Sequence, residues 1–166
     1  ERFLNRITDI RKREPDAAMR SNFIVGYPGE TEEDHDQLLN FVNEAQLDWC
    51  GFFSFSPEEG THALSLPNRV PESLMNERIA ELREMQDTIT ARRRDDLIGR
   101  TLNFLIDEPG VARSHREAPE IDGVIHVSET LEVGTFADIE IADAMGPDLI
   151  AVGASLSSKE LLDDAR

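Results

Sequence analysis

Few residues of this chain are of a type and spacing that do chemistry on their own. One cysteine, Cys50, stands among 166 residues, and the four histidines, His35, His62, His115 and His126, show no metal-ligand spacing. A single thiol permits no internal disulfide and no cysteine-rich metal or cluster site. Flanked by Trp49 and Gly51, Cys50 reads as a small buried side chain rather than a ligand. The most informative run is Phe23-Ile24-Val25-Gly26-Tyr27-Pro28-Gly29-Glu30-Thr31-Glu32-Glu33-Asp34. Phe23 to Val25 is a short apolar run with β-branched residues, and Gly26, Pro28 and Gly29 supply the backbone freedom and fixed φ of a sharp turn. Thr31 is suited to cap a helix: its hydroxyl can accept from the Asp34 amide while Asp34 reaches back, a cap worth about 1 kcal/mol. Glu32, Glu33 and Asp34 then lie at the positive end of the helix dipole. With three acids and no lysine, this turn is unsuited to phosphate.

The elements that must hold this turn can be read around it. Phe3, Leu4, Ile7 and Ile10 recur at helical spacing, and Arg11, Lys12 and Arg13 follow before Pro15 stops the helix. The helix begun at Thr31 carries Leu38, Leu39, Phe41, Val42 and Ala45 on one side, and Trp49 to Phe55 is a second, aromatic strand ending in the loop Ser56 to Thr61. Two strands joined by a crossover helix should lie parallel with a right-handed connection, and parallel sheets are covered on both faces. Residues 1 to about 65 therefore read as the end of a larger α/β domain whose front lies outside this sequence; a small self-sufficient α+β unit is the alternative. After Pro67 and Pro71 a long helix is expected from about Glu72 to Leu97, with Met75, Ile79, Leu82, Met85 and Ile89 as its stripe. Arg92, Arg93 and Arg94 compensate its dipole more readily than they form a nucleic-acid patch, since Asp95 and Asp96 follow.

From Gly99 onward the pattern alternates with period two. Strands are expected over 101–106, 123–127, 136–141 and 148–152, separated by turns at Pro109-Gly110, Asp122-Gly123, Val133-Gly134 and Gly146-Pro147, the mark of a small antiparallel OB-like barrel. The barrel carries three arginines against eleven acids, a net of −8, within a chain of 17 basic and 34 acidic residues and a net charge of −17. Such a balance disfavours a bare phosphate backbone as main partner and favours a basic one, or solubility alone. No apolar run approaches 18 residues, so neither a membrane span nor an export segment is expected, and a cytoplasmic setting is. The stretch from Leu156 to Arg166 is compatible with a short helix or a frayed tail. The expected organisation is 1–97, the α/β portion with its long helix; 98–155, the barrel; and 156–166, a tail.

Arg20-Ser21-Asn22 leading into the Phe23 to Thr31 run, then Phe53-Ser54-Phe55-Ser56-Pro57-Glu58-Glu59-Gly60-Thr61, a long helix and a small barrel, resemble the C-terminal half of the radical-SAM methylthiotransferases. Within that family the barrel resembles a TRAM domain, and Ala112 to Gly123 is similar to the RimO branch, which methylthiolates the β-carbon of an aspartate in ribosomal small-subunit protein number twelve. The resemblance implies the C-terminal part of a partial radical-SAM (β/α) barrel followed by the TRAM domain. It also implies S-adenosylmethionine and two 4Fe-4S clusters in the full-length enzyme, one held by a CxxxCxxC triad. This chain has neither set of cysteines, so no cofactor is expected on it alone, no catalytic residue is assigned in it, and alone it should be inactive. Alternatives are a fragment of the tRNA-modifying branch, or a TRAM-type binding module without catalysis.

The resemblance also implies positions. The turns after Val25 and Phe55 would lie on the active face of the larger barrel. Val25, Gly26, Tyr27, Pro28, Gly29 and Phe55 would approach S-adenosylmethionine, and Arg20 would pair with its carboxylate or with a neighbouring acid. Family members usually carry Thr and Pro where this chain has Asn22 and His62. Glu58 and Glu59 would face the substrate or simply solvent. The barrel loop from Arg113 to Asp122 is the candidate substrate contact, in which Arg113, Glu117, Glu120 and Asp122 would meet the basic ribosomal protein; a surface loop of scattered acids is the plain alternative.

Overall fold

A computed structural model describes residues 1–154 of the chain; the tail expected at 156–166 lies outside the described residues. The chain divides into two compact units at a boundary within its longest helix, between Ile89 and Thr90.

In the first unit, α1 (Arg2–Arg13) ends two residues before Pro15, as a proline that disfavours helix in its predecessor requires. Its Arg11 guanidinium donates to the carbonyls of Ala45, at 2.7 Å, and Gln46, closing the C-terminus of the next helix. That end has no basic residue of its own in its last turn, so Arg11 supplies the positive charge the helix dipole favours. Strand β1 (Arg20–Val25) and strand β2 (Trp49–Ser54) pair in parallel, from Arg20 opposite Trp49 to Val25 opposite Ser54. Between them runs α2 (Glu32–Ala45), whose N-terminus carries the expected capping box: Thr31 Oγ1 accepts from the Asp34 amide and the Asp34 carboxylate accepts from the Thr31 amide. Gln46 leaves the helix in the left-handed region at φ 48°.

The core of this unit is Val25, Val42, Phe52, Ile79, Leu82 and Ile89, with Phe23, Leu38, Leu39, Cys50 and Met85 packed against it. Its last three buried residues come from α3 (Glu72–Asp95), which ends two residues short of the expected Leu97. The periodicity of α3 therefore identifies its buried face correctly. A short 3-10 helix, His62–Ser65, interrupts the loop before it. The opposite sheet face is uncovered among the described residues: the cross-strand partners Ile24 and Phe53 are 64% and 56% exposed.

The second unit is a closed five-stranded barrel in the order β3-β4-β5-β7-β6, where β3 is Thr101–Glu108, β4 Val111–Arg113, β5 Ile125–His126, β6 Phe136–Met145 and β7 Asp148–Ala151. Leu97, Phe104, Ile106, Ala112, Ile125, Val127, Ile141, Leu149 and Ala151 fill it. Two features depart from the expected alternating pattern. Strand β4 has only three residues, too short for periodicity to reveal, and β5 pairs with β7 in parallel while every other pair is antiparallel. At the mouth of β5, a Cβ on Gly123 would lie 2.0 Å from the carbonyl oxygen of Pro147, so only glycine lets these backbones approach.

Candidate functional site

Two places gather the chemistry-bearing residues, one in each unit. The first is the turn at the C-terminal end of β1. Val25 is fully buried, and its carbonyl accepts from the Phe55 amide at 2.8 Å, extending the parallel pairing one residue beyond β2. The Tyr27 and Phe55 rings meet edge to face, with centroids 5.3 Å apart. The two strand-end turns are thus joined by a main-chain bond and an aromatic pair. The turn itself closes through the Glu30 amide on the Tyr27 carbonyl at 2.9 Å, and the Gly29 amide donates to the Asn68 carbonyl at 2.9 Å. Tyr27, Pro28, Gly29, Glu30 and Asp34 line an open hollow of about 350 Å³.

Gly26 serves a different neighbour from the one its position suggests. At φ 88° it adopts a conformation favouring glycine, and a Cβ there would lie 2.1 Å from Met75 Sδ and 2.3 Å from Met75 Cγ. The space over Gly26 is filled by α3. Over Gly29 (φ 93°) no atom lies within 4 Å of the Cβ position, so that glycine faces open space.

Beneath the turn lies an ion-pair network absent from the sequence reading. Arg78, 3% exposed, donates to Glu30 at 2.6 Å and to Glu32 at 2.5 Å, while the second Glu30 oxygen accepts from the Gly26 amide at 2.8 Å. Burial acts to lower the pKa of Arg78, but its hydrogen bonds to Glu32 and Glu30 outweigh that and hold the group above its ordinary value. The available signal was an arginine three residues after Met75 and four before Leu82, on the buried stripe of α3.

Arg20 begins β1, whereas the turn follows its last residue. At about 3.3 Å per residue the two are about 17 Å apart along the strand, so Arg20 is not brought to the turn by the strand. Glu58 and Glu59 are exposed in the loop after β2, where the Glu58 carbonyl accepts from the Thr61 hydroxyl at 2.7 Å.

The second place is a cavity of about 580 Å³ on the barrel, lined by Arg113, Glu117, Glu120 and Asp122 together with Asp107 and Glu108 among others. All four loop residues singled out from the sequence border it. Their roles differ. Glu117 is 7% exposed and directed inward: it pairs with Arg94 and accepts from the Ser114 amide at 2.8 Å and the Ser114 hydroxyl at 2.6 Å. Desolvation would raise its pKa, yet the Arg94 charge and the bonds from Ser114 and Arg94 hold the carboxyl below the usual glutamate range. Asp122 accepts from the Ala118 amide at 2.8 Å, and Arg113 lies 3.2 Å from Asp107. Glu108 and Glu120 are exposed at the cavity, Glu120 in the left-handed region at φ 64°. The loop is held in shape by Glu117 and Asp122, and its one remaining acid, Glu120, presents negative charge to solvent together with Glu108 at the end of β3.

A 4Fe-4S cluster does not fit these residues. Cys50 lies within β2 and burial pushes its thiol up to about 12, the reverse of the thiolate a cluster requires. Among the described residues no three of His, Cys, Asp and Glu come together as a metal site. The strand-end hollow carries two acids in its lining, both already engaged: Glu30 by Arg78 and the Gly26 amide, and Asp34 by Thr31. No helix among the described residues is long and apolar enough to cross a membrane.

Comparison with known proteins agrees with this architecture. Residues 98–153 match the TRAM domain family. The chain is 42% identical over 98% of its length to the ribosomal protein uS12 methylthiotransferase RimO of Stenotrophomonas maltophilia, covering 38% of that protein. It is 44% identical over 91% of its length to the RimO of Thiobacillus denitrificans, covering 35% of it, and 48% identical over 75% of its length to that of Moorella thermoacetica, covering 29%. The chain thus spans about a third of the length of the curated relatives it matches. With an OB-like TRAM barrel following an α/β portion, and this identity along most of its residues, the chain belongs to the RimO family of methylthiotransferases.

Proposed function

We propose that this chain is the C-terminal part of a radical S-adenosylmethionine enzyme that methylthiolates the β-carbon of an aspartate in ribosomal protein uS12, and that its barrel holds the basic protein substrate. The observation that carries the substrate reading is the barrel cavity, where Glu108, at the end of β3, and Glu120, on a loop held in shape by Glu117 and Asp122, both stand exposed. Acids on a preformed surface steer a basic partner and set its on-rate more than its final affinity. Arg113, beside Asp107, would read an acidic or carbonyl group of the same partner.

The strand-end turns would supply one wall of the cofactor site. Tyr27, Pro28, Gly29 and Phe55 would hold S-adenosylmethionine, with Val25 and Gly26 fixing the turn from below. Glu58 and Glu59 would lie toward the substrate, and Arg20, at the far end of β1, would act through a neighbouring acid rather than at the turn. When bound, S-adenosylmethionine supplies the radical that activates the substrate carbon. The cluster ligands would come from residues outside this chain, so the chain alone would be inactive, and a cytoplasmic setting follows from a ribosomal substrate.

Titration of the chain with ribosomal protein uS12 tests the reading: binding should weaken as salt rises. Absent or salt-insensitive binding overturns it. Retention of tRNA by the barrel at about 150 mM salt would favour the tRNA-modifying branch instead.

A further inference from the structure

Arg78 occupies a position on α3 where an apolar residue would serve packing at less cost. Met75, Ile79, Leu82, Met85 and Ile89 form the stripe around it, yet a guanidinium is buried there whose Nε has no hydrogen-bond partner among the described residues. Buried ion pairs are a weak source of stability, because desolvation offsets most of the attraction. Geometry gives a different reason for this one. The carboxylate of Glu30 is held from two sides, by Arg78 through one oxygen and by the Gly26 amide through the other. Glu30 also closes the turn through its own amide on the Tyr27 carbonyl. Arg78 further engages Glu32 in the first turn of α2, so one side chain spans the residues on both sides of Thr31.

We propose that Arg78 is a positioning residue for the strand-end turn: by fixing the Glu30 carboxylate it sets the Gly26 amide and, through the Tyr27–Glu30 closure, the backbone of Tyr27 to Gly29. Its bearing on cofactor binding rests on the reading of this turn as the cofactor wall. Arg78 reaches the turn through Glu30, which itself lines the open hollow beside Tyr27, Pro28 and Gly29.

The test reads the turn itself, by residue-resolved amide exchange in the 166-residue chain without cofactor. Arg78→Met should speed exchange at Gly26 by roughly tenfold or more, the scale of losing support from a charge-assisted hydrogen bond, while the amides of Val42 and Leu82 keep their protection. Arg78→Lys, which retains the charge on Glu30, should restore most of the difference. Glu30→Ala should speed Gly26 exchange to a similar degree, and the double variant should add little, because both changes break one linkage. An unchanged Gly26 amide, equal loss of protection across the unit, or additive effects in the double variant would overturn the proposal. Should Arg78→Met fail to fold, Arg78→Lys and Glu30→Ala still decide it. Failure here removes the clamp alone, since the cofactor-wall reading stands or falls on cofactor binding.

Discussion

The guanidinium of Arg94, in the last turn of α3, pairs with the carboxylate of Glu117 in the loop after β4, and both side chains are almost wholly buried, at 4% and 2% exposure. Through Glu117 this pair reaches the backbone and hydroxyl of Ser114, so a buried carboxylate anchors the start of the loop that walls the acidic cavity. Removing one partner strands a buried charge. Arg94→Met should lower the stability of the barrel by about 3 to 5 kcal/mol, read by thermal or denaturant unfolding. Arg94→Met combined with Glu117→Gln should cost less than the two changes summed, because the double variant leaves no uncompensated charge. A cost below about 1 kcal/mol for Arg94→Met, the range of exposed pairs, would contradict this role.

The same carboxylate gives the barrel a pH dependence. Glu117 has a folded-state pKa below its unfolded value, so the folded state binds its proton less readily than the unfolded chain does. Its contribution is fully present above the unfolded value, about 4.3 for a glutamate, and is lost as pH falls through the lower folded value. Stability measured from pH 6 downward should therefore fall over the acid range, and Glu117→Gln should flatten that fall. Identical slopes for the two proteins would count against the pairing.

Gly26 connects the turn to α3 by steric fit. Gly26→Ala places a Cβ against Met75 and a side chain at φ 88°, and should destabilise the first unit by about 2 to 4 kcal/mol. Met75→Ala in the same chain should recover the steric part and leave the backbone strain. Gly29→Ala, at φ 93° but with open space around it, should show the strain alone. Equal costs at the two glycines would remove the distinction, and urea unfolding of the three variants measures it.

Much of this was legible in the sequence because it is local. The Thr31–Asp34 capping box, the strand ending before Gly26, and the stripe of α3 each depend on residues within a few positions of one another, where spacing carries the information. The barrel was legible from alternation and turn residues, except β4, whose three residues give periodicity nothing to act on. Charged residues were the harder case. Arg78 pairs with Glu30 across 48 positions and Arg94 with Glu117 across 23, so their burial depends on contacts that no window of sequence contains. From the sequence Glu117 stood beside Glu120 and Asp122 as an acid for substrate contact; only the fold shows that it is internal while Glu108 and Glu120 remain exposed.

The aromatic pair at the strand ends bears on the proposed cofactor wall. In the longer protein that would contain this chain, Tyr27→Ala removes the ring that meets Phe55 and exposes the turn, and should weaken S-adenosylmethionine binding in equilibrium dialysis. Tyr27→Phe keeps the edge-to-face contact and should leave binding near its original strength. Unchanged affinity in Tyr27→Ala would take the turn out of the cofactor site.

The central claim, that the acidic barrel receives a basic ribosomal protein, is tested most directly by titrating ribosomal protein uS12 into the chain and into its Glu108→Gln and Glu120→Gln variants at low and at physiological salt. Binding by the parent chain should weaken as salt rises, and each substitution should lower low-salt affinity by up to about fivefold, the worth of an exposed charge pair, with a shallower salt dependence. Binding that ignores both salt and these two carboxylates, or no binding at all, would contradict the account.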